Sequence, residues 1–400
     1  MPPLPDHCTV LVIGSGNAGL SAAISAAQNG APSVLLVDKC PASWAGGNTY
    51  FTAGAYRTPH AGLPTLLPLV NNAPPDPSRA VSLPPYPAAA FASDLRRVTR
   101  GRADPALAAV LVEDALPAVR WLAGESDGGK GLVADELAAA ARHGVRVAWS
   151  TALVRLLTTP PPPPSTTTTT PASSSSNTNN TNNVIGAVLR QADGVEVPVL
   201  ASGGVVLAAG GFEASGALRA QHLGPEWGGT RAFVRGTPFN TGDGLAAAAR
   251  DAGAARAGDW AGCHAVAWDA NAAPEGGDRE RTNEYTKSGY PLGVMVDVEG
   301  RRAFNEAAKR HREKHPERVF NPAVKDGVAT EPGMLEPPKS NWALPIEKPP
   351  FLAVKVGCGI TFTFEPFRIF LSVLLGADRP KNILVGVVPE ARVMVGLTIT

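Results

Sequence analysis

Cysteine is scarce in this 400-residue chain: Cys8, Cys40, Cys263 and Cys358 lie far apart, with no Cys-x-x-Cys pair and no metal-ligand spacing. That excludes a disulfide scaffold and a structural zinc site, and it predicts reduced thiols in a cytoplasmic setting and no bound metal. Net charge is missing too, since 36 Lys+Arg face 35 Asp+Glu for a formal +1. A chain so balanced gives no reason to expect a nucleic acid or an anionic membrane surface as partner. No stretch reaches the roughly 18 uninterrupted apolar residues of a membrane span. The opening MPPLPDHCTV has no basic region before its first apolar run, so it does not read as a signal peptide. What the chain does have is 44% apolar residues, enough for one large or two ordinary cores.

The most informative stretch is residues 10–38, VLVIGSGNAGLSAAISAAQNGAPSVLLVD. A short apolar run, then Gly14-Ser15-Gly16-Asn17-Ala18-Gly19, then an Ala-rich segment ending at Asn29-Gly30 predicts strand, tight turn and helix. Gly14 permits the turn, Gly16 lets backbone approach a pyrophosphate, and Gly19 lets the helix lie against the strand. The phosphates would sit at the helix N-terminus, where free N–H groups and the dipole favour negative charge. A second apolar run ends in Asp38, whose carboxylate suits a ribose diol and would repel a 2′-phosphate. Strand, helix, second strand and acid fall in register, which predicts dinucleotide binding.

Further motifs follow in order. Gly46-Gly47-Asn48-Thr49 offers bare backbone and short polar groups, as either a ring-lining loop or an ordinary turn. Residues 61–90 are rich in proline and read as an irregular surface segment. Asp104-Pro105 is an N-cap and N1 pair for a helix to about Leu122, which Pro117 should kink. A short helix over 135–143 closes at Gly144, and a strand follows over 145–149. Residues 158–183 are a Pro, Thr, Ser and Asn tract, expected to be a disordered loop tip. Strands are predicted over 153–157, 184–189 and 195–200 as a small antiparallel sheet, the last two joined by an Asp193-Gly194 turn. A separate buried strand in 203–213 runs into Ala209-Gly210-Gly211, a second contact for the same ligand. Thr241-Gly242-Asp243 opens another helix, where Thr241 or Asp243 serves equally well as a simple cap.

In order, VIGSGNAGLSAA, GGNTYFTAGAYR, GGVVLAAGGFEAS and NTGDGLAAAARDAGA resemble the fumarate reductase and succinate dehydrogenase flavoprotein family. The stretches GDWAGCHAVAWDANA, YPLGVMVDVEGRRAFNE, PPKSNWALPIEKPPF and CGITFTF look most like its tricarballylate dehydrogenase branch. The resemblance implies an α/β protein: a Rossmann-like FAD-binding domain with an inserted antiparallel sheet, and a shortened α+β capping domain. It implies an FAD-binding domain over 1–289, a reduced cap over 290–350, a return over 351–364 and an atypical tail over 365–400, which stands where relatives continue with a Gly-rich element. The implied cofactor contacts are Gly14, Gly16, Gly19, Asp38, Lys39, Gly46, Gly47, Asn48, Thr49, Ala209, Gly210, Gly211, Thr241, Gly242 and Asp243. Asn48 stands where covalent members have a flavin-linking histidine, so FAD is expected without a bond. His264 falls where the family holds a substrate carboxylate, and Arg310 falls nearest the arginine that moves the substrate proton. The implied activity is dehydrogenation or reduction of a di- or tricarboxylate at an α,β C–C bond through flavin N5, with an unidentified electron acceptor. The alternatives are a catalytically impaired FAD-binding remnant and a dehydrogenase of a ketosteroid-like enone.

Overall fold

The computed structural model describes residues 3–52, 56–70, 82–125, 131–159, 183–229, 232–287, 289–302 and 348–364, with residue 76 and scattered residues between 305 and 346. Arg310, the tract 160–182 and the tail 365–400 lie outside the described residues.

The first strand, β1 (His7–Ile13), is flanked by β2 (Val34–Val37) on one side and β6 (Glu196–Leu207) on the other, all parallel. β3 (Arg146–Ala148) adds in parallel beyond β2. β5 (Asn183–Arg190) and β4 (Ala152–Thr159) add in antiparallel beyond β6, giving the order β3-β2-β1-β6-β5-β4. The apolar runs of β1 and β2 are buried because both sheet faces are covered. One layer brings α1 (Asn17–Gln28) and α5 (Gly131–Arg142) onto Val12, Leu36 and Val206. The other brings α7 (Asp243–Ala252), which follows the short α6 (Gly216–Leu223), onto Leu11, Leu35 and Leu207.

Two expectations change. The segments at 195–200 and 203–207 are one continuous strand, β6, so the antiparallel strands extend the main sheet instead of forming a separate one. Gly203 and Gly204 conceal this in the sequence, because glycine reads as a break; here Gly203 lets β6 press on Thr9, whose carbonyl would lie 2.8 Å from an added Cβ. The Pro-rich segment holds a single-turn helix, α2 (Leu63–Leu66), and then a full helix, α3 (Ala88–Thr99), that its prolines hid. α3 packs Phe91 against Leu111, Val112 and Ala115 of α4 (Pro105–Glu125). Asp104 caps α4 as expected, its Oδ1 accepting from Ala106 N at 2.9 Å and Leu107 N at 3.1 Å. α5 starts earlier than expected and closes at left-handed Gly144, with Val145 N donating to Ala140 O at 2.9 Å.

The Thr158, Thr159 and Asn183 ends of the low-complexity tract belong to strands, and Thr159 pairs with Asn183. The ladder thus closes at the base of 160–182. Replacing that stretch with an Asn-Gly turn is expected to keep the melting temperature and flavin content, since shortening a loop changes closure entropy by only about 0.6 kcal/mol per halving. A drop above 5 °C in a thermal melt would refute this.

Between α1 and α5 lies one buried acid, Glu136, whose Oε1 accepts from Ser21 Oγ at 3.0 Å. Burial pushes its carboxyl up to about 8, with the Ser21 bond opposing and Asp135 adding to the rise. The folded value exceeds the unfolded one, so the native state holds the extra proton and stability falls as pH rises from about 4.5 towards 8. Glu136→Gln is neutral throughout, so its stability relative to wild type should improve by roughly 2–4 kcal/mol between pH 5 and pH 8. Urea melts of both proteins at the two pH values measure that gap, and parallel profiles would exclude a buried proton.

A smaller sheet completes the description, β7 (Ala232–Val234), β9 (Val356–Thr363) and β8 (Cys263–Asp269) in that order, with β9 parallel to β7 and antiparallel to β8. It is tied to the main body where Phe212 N donates to Thr363 Oγ1 at 3.2 Å. Among the described residues no helix is long and apolar enough to cross a membrane. The four cysteines form no disulfide.

Candidate cofactor and substrate site

The parallel strands β1, β2, β3 and β6 all end at one edge, where a doubly wound sheet binds its ligand. A cleft of about 640 Å³, open to solvent, lies there. Gly14, Gly16, Asp38, Lys39, Gly47, Asn48, Ala209, Gly210 and Asp243 line it. The remaining expected contacts stand behind this lining. Thr49 Oγ1 accepts from Asn17 N at 2.9 Å, Gly46 N donates to Ser15 Oγ at 3.3 Å, and Gly242 N donates to Gly211 O at 3.0 Å. Gly19 sits so close to the turn that an added Cβ would lie 1.8 Å from Gly14 O.

The turn meets the needs of a dinucleotide. Gly14 is left-handed at φ 109°, and an added Cβ would lie 2.1 Å from Ala208 O, so strand, turn and β6 are in backbone contact. Gly16 is the N-cap of α1 and offers no side chain to its first-turn N–H groups; Thr49 takes that of Asn17, and the rest of the turn suits an external anion. Asp38 turns partly inward. Its Oδ2 accepts from Ser15 N at 2.7 Å and Ser15 Oγ at 2.6 Å, and its Oδ1 accepts from Cys40 N at 2.9 Å. A carboxylate has about four lone-pair sites, so these three bonds leave capacity for a single ribose hydroxyl. Beside it, burial raises the Cys40 thiol and the Asp38 charge adds to the effect, so Cys40 stays protonated.

Lys39 donates to Thr241 Oγ1 and pairs with Asp243, while Thr241 Oγ1 donates to Asp243 Oδ1 at 2.7 Å. Thr241 and Asp243 therefore tie the start of α7 to the end of β2, and no side chain caps α7. Trp44 and Phe239, 5.8 Å apart edge to face, form an aromatic wall of the cleft. Behind the same loop, the Arg279 guanidinium lies 3.4 Å from the Tyr50 ring centroid, and its Nη1 donates to Ala45 O at 3.1 Å.

Asn48 is 4% exposed and binds three separate segments. Its Nδ2 donates to Glu213 Oε1 at 2.6 Å and to Thr361 O at 2.7 Å, and its Oδ1 accepts from Thr237 N at 2.8 Å. Asn240 Nδ2 donates to the same Glu213 oxygen at 2.6 Å. The sequence reading missed Ser15, Trp44, Glu213, Thr237, Phe239 and Asn240. Ser15 stood inside the glycine motif, Trp44 and Glu213 lie two residues from a glycine pair, and Thr237, Phe239 and Asn240 lie between Gly236 and Gly242, but no spacing rule joins them.

On the smaller sheet, His264 stacks on Phe362 with ring centroids 4.9 Å apart and planes at 10°. Arg235, which follows β7, instead donates to Thr361 Oγ1 and Thr286 Oγ1, both at 3.4 Å. The companion of His264 in the sequence reading, Arg310, lies outside the described residues.

Fold and cleft define a dinucleotide-binding α/β protein of the doubly wound type. The chain belongs to the FAD binding domain family, whose model matches residues 9–63 and 86–315, and FAD is the cofactor that family binds. The fold is similar to that of a flavocytochrome c3 fumarate reductase in its open conformation, at TM-score 0.50 and 22% identity over 66% of this chain and 43% of that one. It is also similar to 3-ketosteroid Δ1-dehydrogenase from Sterolibacterium denitrificans, at TM-score 0.54 and 17% identity over 76% of this chain and 64% of that one. The chain thus spans about half to two thirds of the length of these structures. No curated protein matches it.

Proposed function

We propose that this protein is an FAD-dependent oxidoreductase that dehydrogenates, or in reverse reduces, a di- or tricarboxylate at an α,β C–C bond, with FAD held non-covalently. The observation that carries the reading is the cleft at the strand ends, where left-handed Gly14, bare Gly16 and the acid Asp38 fit the pyrophosphate and ribose of a dinucleotide. Bound FAD supplies the acceptance or donation of a hydride. The residues of the chain hold, orient and shield. Gly16 and the first turn of α1 take the phosphates, Asp38 takes a ribose hydroxyl, and Trp44 with Phe239 keeps water from the wall of the cleft. His264 is the proposed hydrogen-bonding partner of a substrate carboxylate, and Arg310 the proposed carrier of the proton. A guanidinium keeps its proton to above pH ~12, so that role requires a dry site. The sequence resemblance to the tricarballylate dehydrogenase branch supports a tricarboxylate. The scarce, widely separated cysteines, none in a disulfide, support a cytoplasmic setting.

Anaerobic addition of succinate or tricarballylate to the purified flavoprotein tests the reading. Bleaching at about 1–10 s⁻¹ is the expected result, in the ordinary range for an enzyme. Bleaching by a 3-ketosteroid alone would overturn the substrate class. Bound flavin that no acid or steroid reduces would leave a cofactor-binding remnant.

A further inference from the structure

Arg235 is half-buried and lacks the partner such a group ordinarily has. Burial alone drives its guanidinium below the usual value, with no acid acting against it. Among the described residues no carboxylate comes within 4.0 Å of it, and Asp269, next to Trp268 in the chain, is paired with Lys287 at 3.1 Å. Its five N–H donors find two acceptors among the described residues, both hydroxyls at 3.4 Å, close to the outer limit of a hydrogen bond. The ring beneath it is Trp268, 5.9 Å from guanidinium carbon to centroid, and the buried Trp268 Nε1–H also has no acceptor among the described residues. The guanidinium and the indole N–H thus bring donors that outnumber the acceptors given to them, while Thr286 Oγ1 passes its own proton to Thr282 O at 3.3 Å. A cation removed from water without compensation is costly, and a patch so rich in donors is complementary to an anion.

The position is fixed by backbone. Arg235 N donates to Ile360 O at 2.8 Å, and Gly277 N donates to the adjoining Gly236 O at 2.8 Å. Thr361, which meets the guanidinium through its hydroxyl, receives Asn48 Nδ2 on its carbonyl. An anion held at Arg235 therefore sits one residue away from the loop assigned to the flavin.

We infer that Arg235, with the hydroxyls of Thr286 and Thr361, is the binding point for one carboxylate of the substrate and so sets which acids the site accepts. The inference rests on the carboxylate reading above. The planar fork of Arg235 would bind the two oxygens of one carboxylate side by side, leaving the hydroxyls to align it.

Calorimetric titration of malonate and succinate into the full-length oxidised flavoprotein is the test, because it needs no turnover. Wild type should bind. Arg235→Gln should weaken binding by about 30-fold or more, Arg235→Lys by about 10-fold, and Thr361→Val by about 3-fold, all with unchanged flavin content. Added guanidinium ion should restore part of the affinity of Arg235→Ala, which a merely structural arginine would not allow. If Arg235→Gln does not fold, the Lys and Thr361→Val variants give the same reading. Equal affinity in wild type and the variants would overturn the inference and leave the carboxylate reading standing. No binding of either acid to wild type would overturn both, and loss of flavin from Arg235→Gln would assign the guanidinium to a cofactor phosphate instead.

Discussion

Gly14→Ala should give a protein that holds no flavin and melts about 10 °C lower or more, and Gly19→Ala should also lose the flavin with a smaller drop in melting temperature, having no backbone strain to add. At Gly14 the added Cβ would lie 2.1 Å from Ala208 O, and at Gly19 it would lie 1.8 Å from Gly14 O. Both obstacles are backbone atoms, which cannot rotate away as a side-chain end would. Gly14 also sits at φ 109°, where an L-residue is strained. Strain and overpacking contribute about 1–3 kcal/mol each, so the sum is roughly 2–6 kcal/mol. In a domain of this size each kcal/mol is worth about 2–4 °C. The relief is to push β6 and α1 apart, which widens the turn that should cradle the phosphates. Gly124→Ala is the matched control: it lies in helix α4 with nothing within 4 Å of an added Cβ, and alanine should stabilise it by about 0.5–1 kcal/mol. Differential scanning calorimetry and the flavin-to-protein absorbance ratio read both quantities. Full flavin content in Gly14→Ala would show that the turn is not the cofactor cradle.

The second large effect is expected at Asn48. One amide there serves Glu213, the Thr361 carbonyl and the Thr237 N–H, so it joins the loop after β2, the end of β6, the segment before α7 and β9. Asn48→Ala orphans the Thr361 carbonyl and the Thr237 N–H, while Glu213 keeps Asn240, at about 1–3 kcal/mol for each orphan not rescued by water, or roughly 2–6 kcal/mol in all. Asn48→Asp preserves the shape but sets a second carboxylate against Glu213 and removes two N–H donors, so it should be worse than alanine at pH 7. Chemical denaturation gives the order, and an aspartate variant as stable as wild type would refute the network. The same geometry bears on the cofactor linkage. With its amide engaged on both sides and no nucleophilic atom, Asn48 offers nothing for a covalent bond, so acid precipitation should leave all the flavin in the supernatant.

These two sites differ in how they could be read. The turn at Gly14 is visible in the sequence because everything it needs lies within residues 10–38: a strand-length apolar run, three glycines at set spacing, a helix-length Ala-rich segment and an acid after the second strand. Each of those features acts over a few residues, so chain order is enough. The same holds for Asp104 capping α4 and for Gly144 closing α5. Hidden elements failed for equally local reasons. Prolines before Ala88 masked α3, and two glycines split β6 into what read as two strands, although pairing to β1 and β5 holds it as one.

The sequence alone determined the class of cofactor and the turn proposed to hold its phosphates, because the shape of that turn is set by backbone within one β-α-β unit. It also marked Asp38 and Lys39 as cofactor contacts, but only folding revealed that Asp38 is largely engaged by Ser15 and Cys40, and Lys39 by Thr241 and Asp243. The Asn48–Glu213–Asn240 web, the buried acid Glu136 and the acid-free guanidinium of Arg235 belong to the tertiary structure entirely. Asn48 and Thr361 are 313 residues apart, and whether a polar side chain is satisfied, sealed from water or left with spare donors depends on which distant segments the sheet brings against it. No spacing along the chain encodes that, because burial and partnership are properties of the packed molecule.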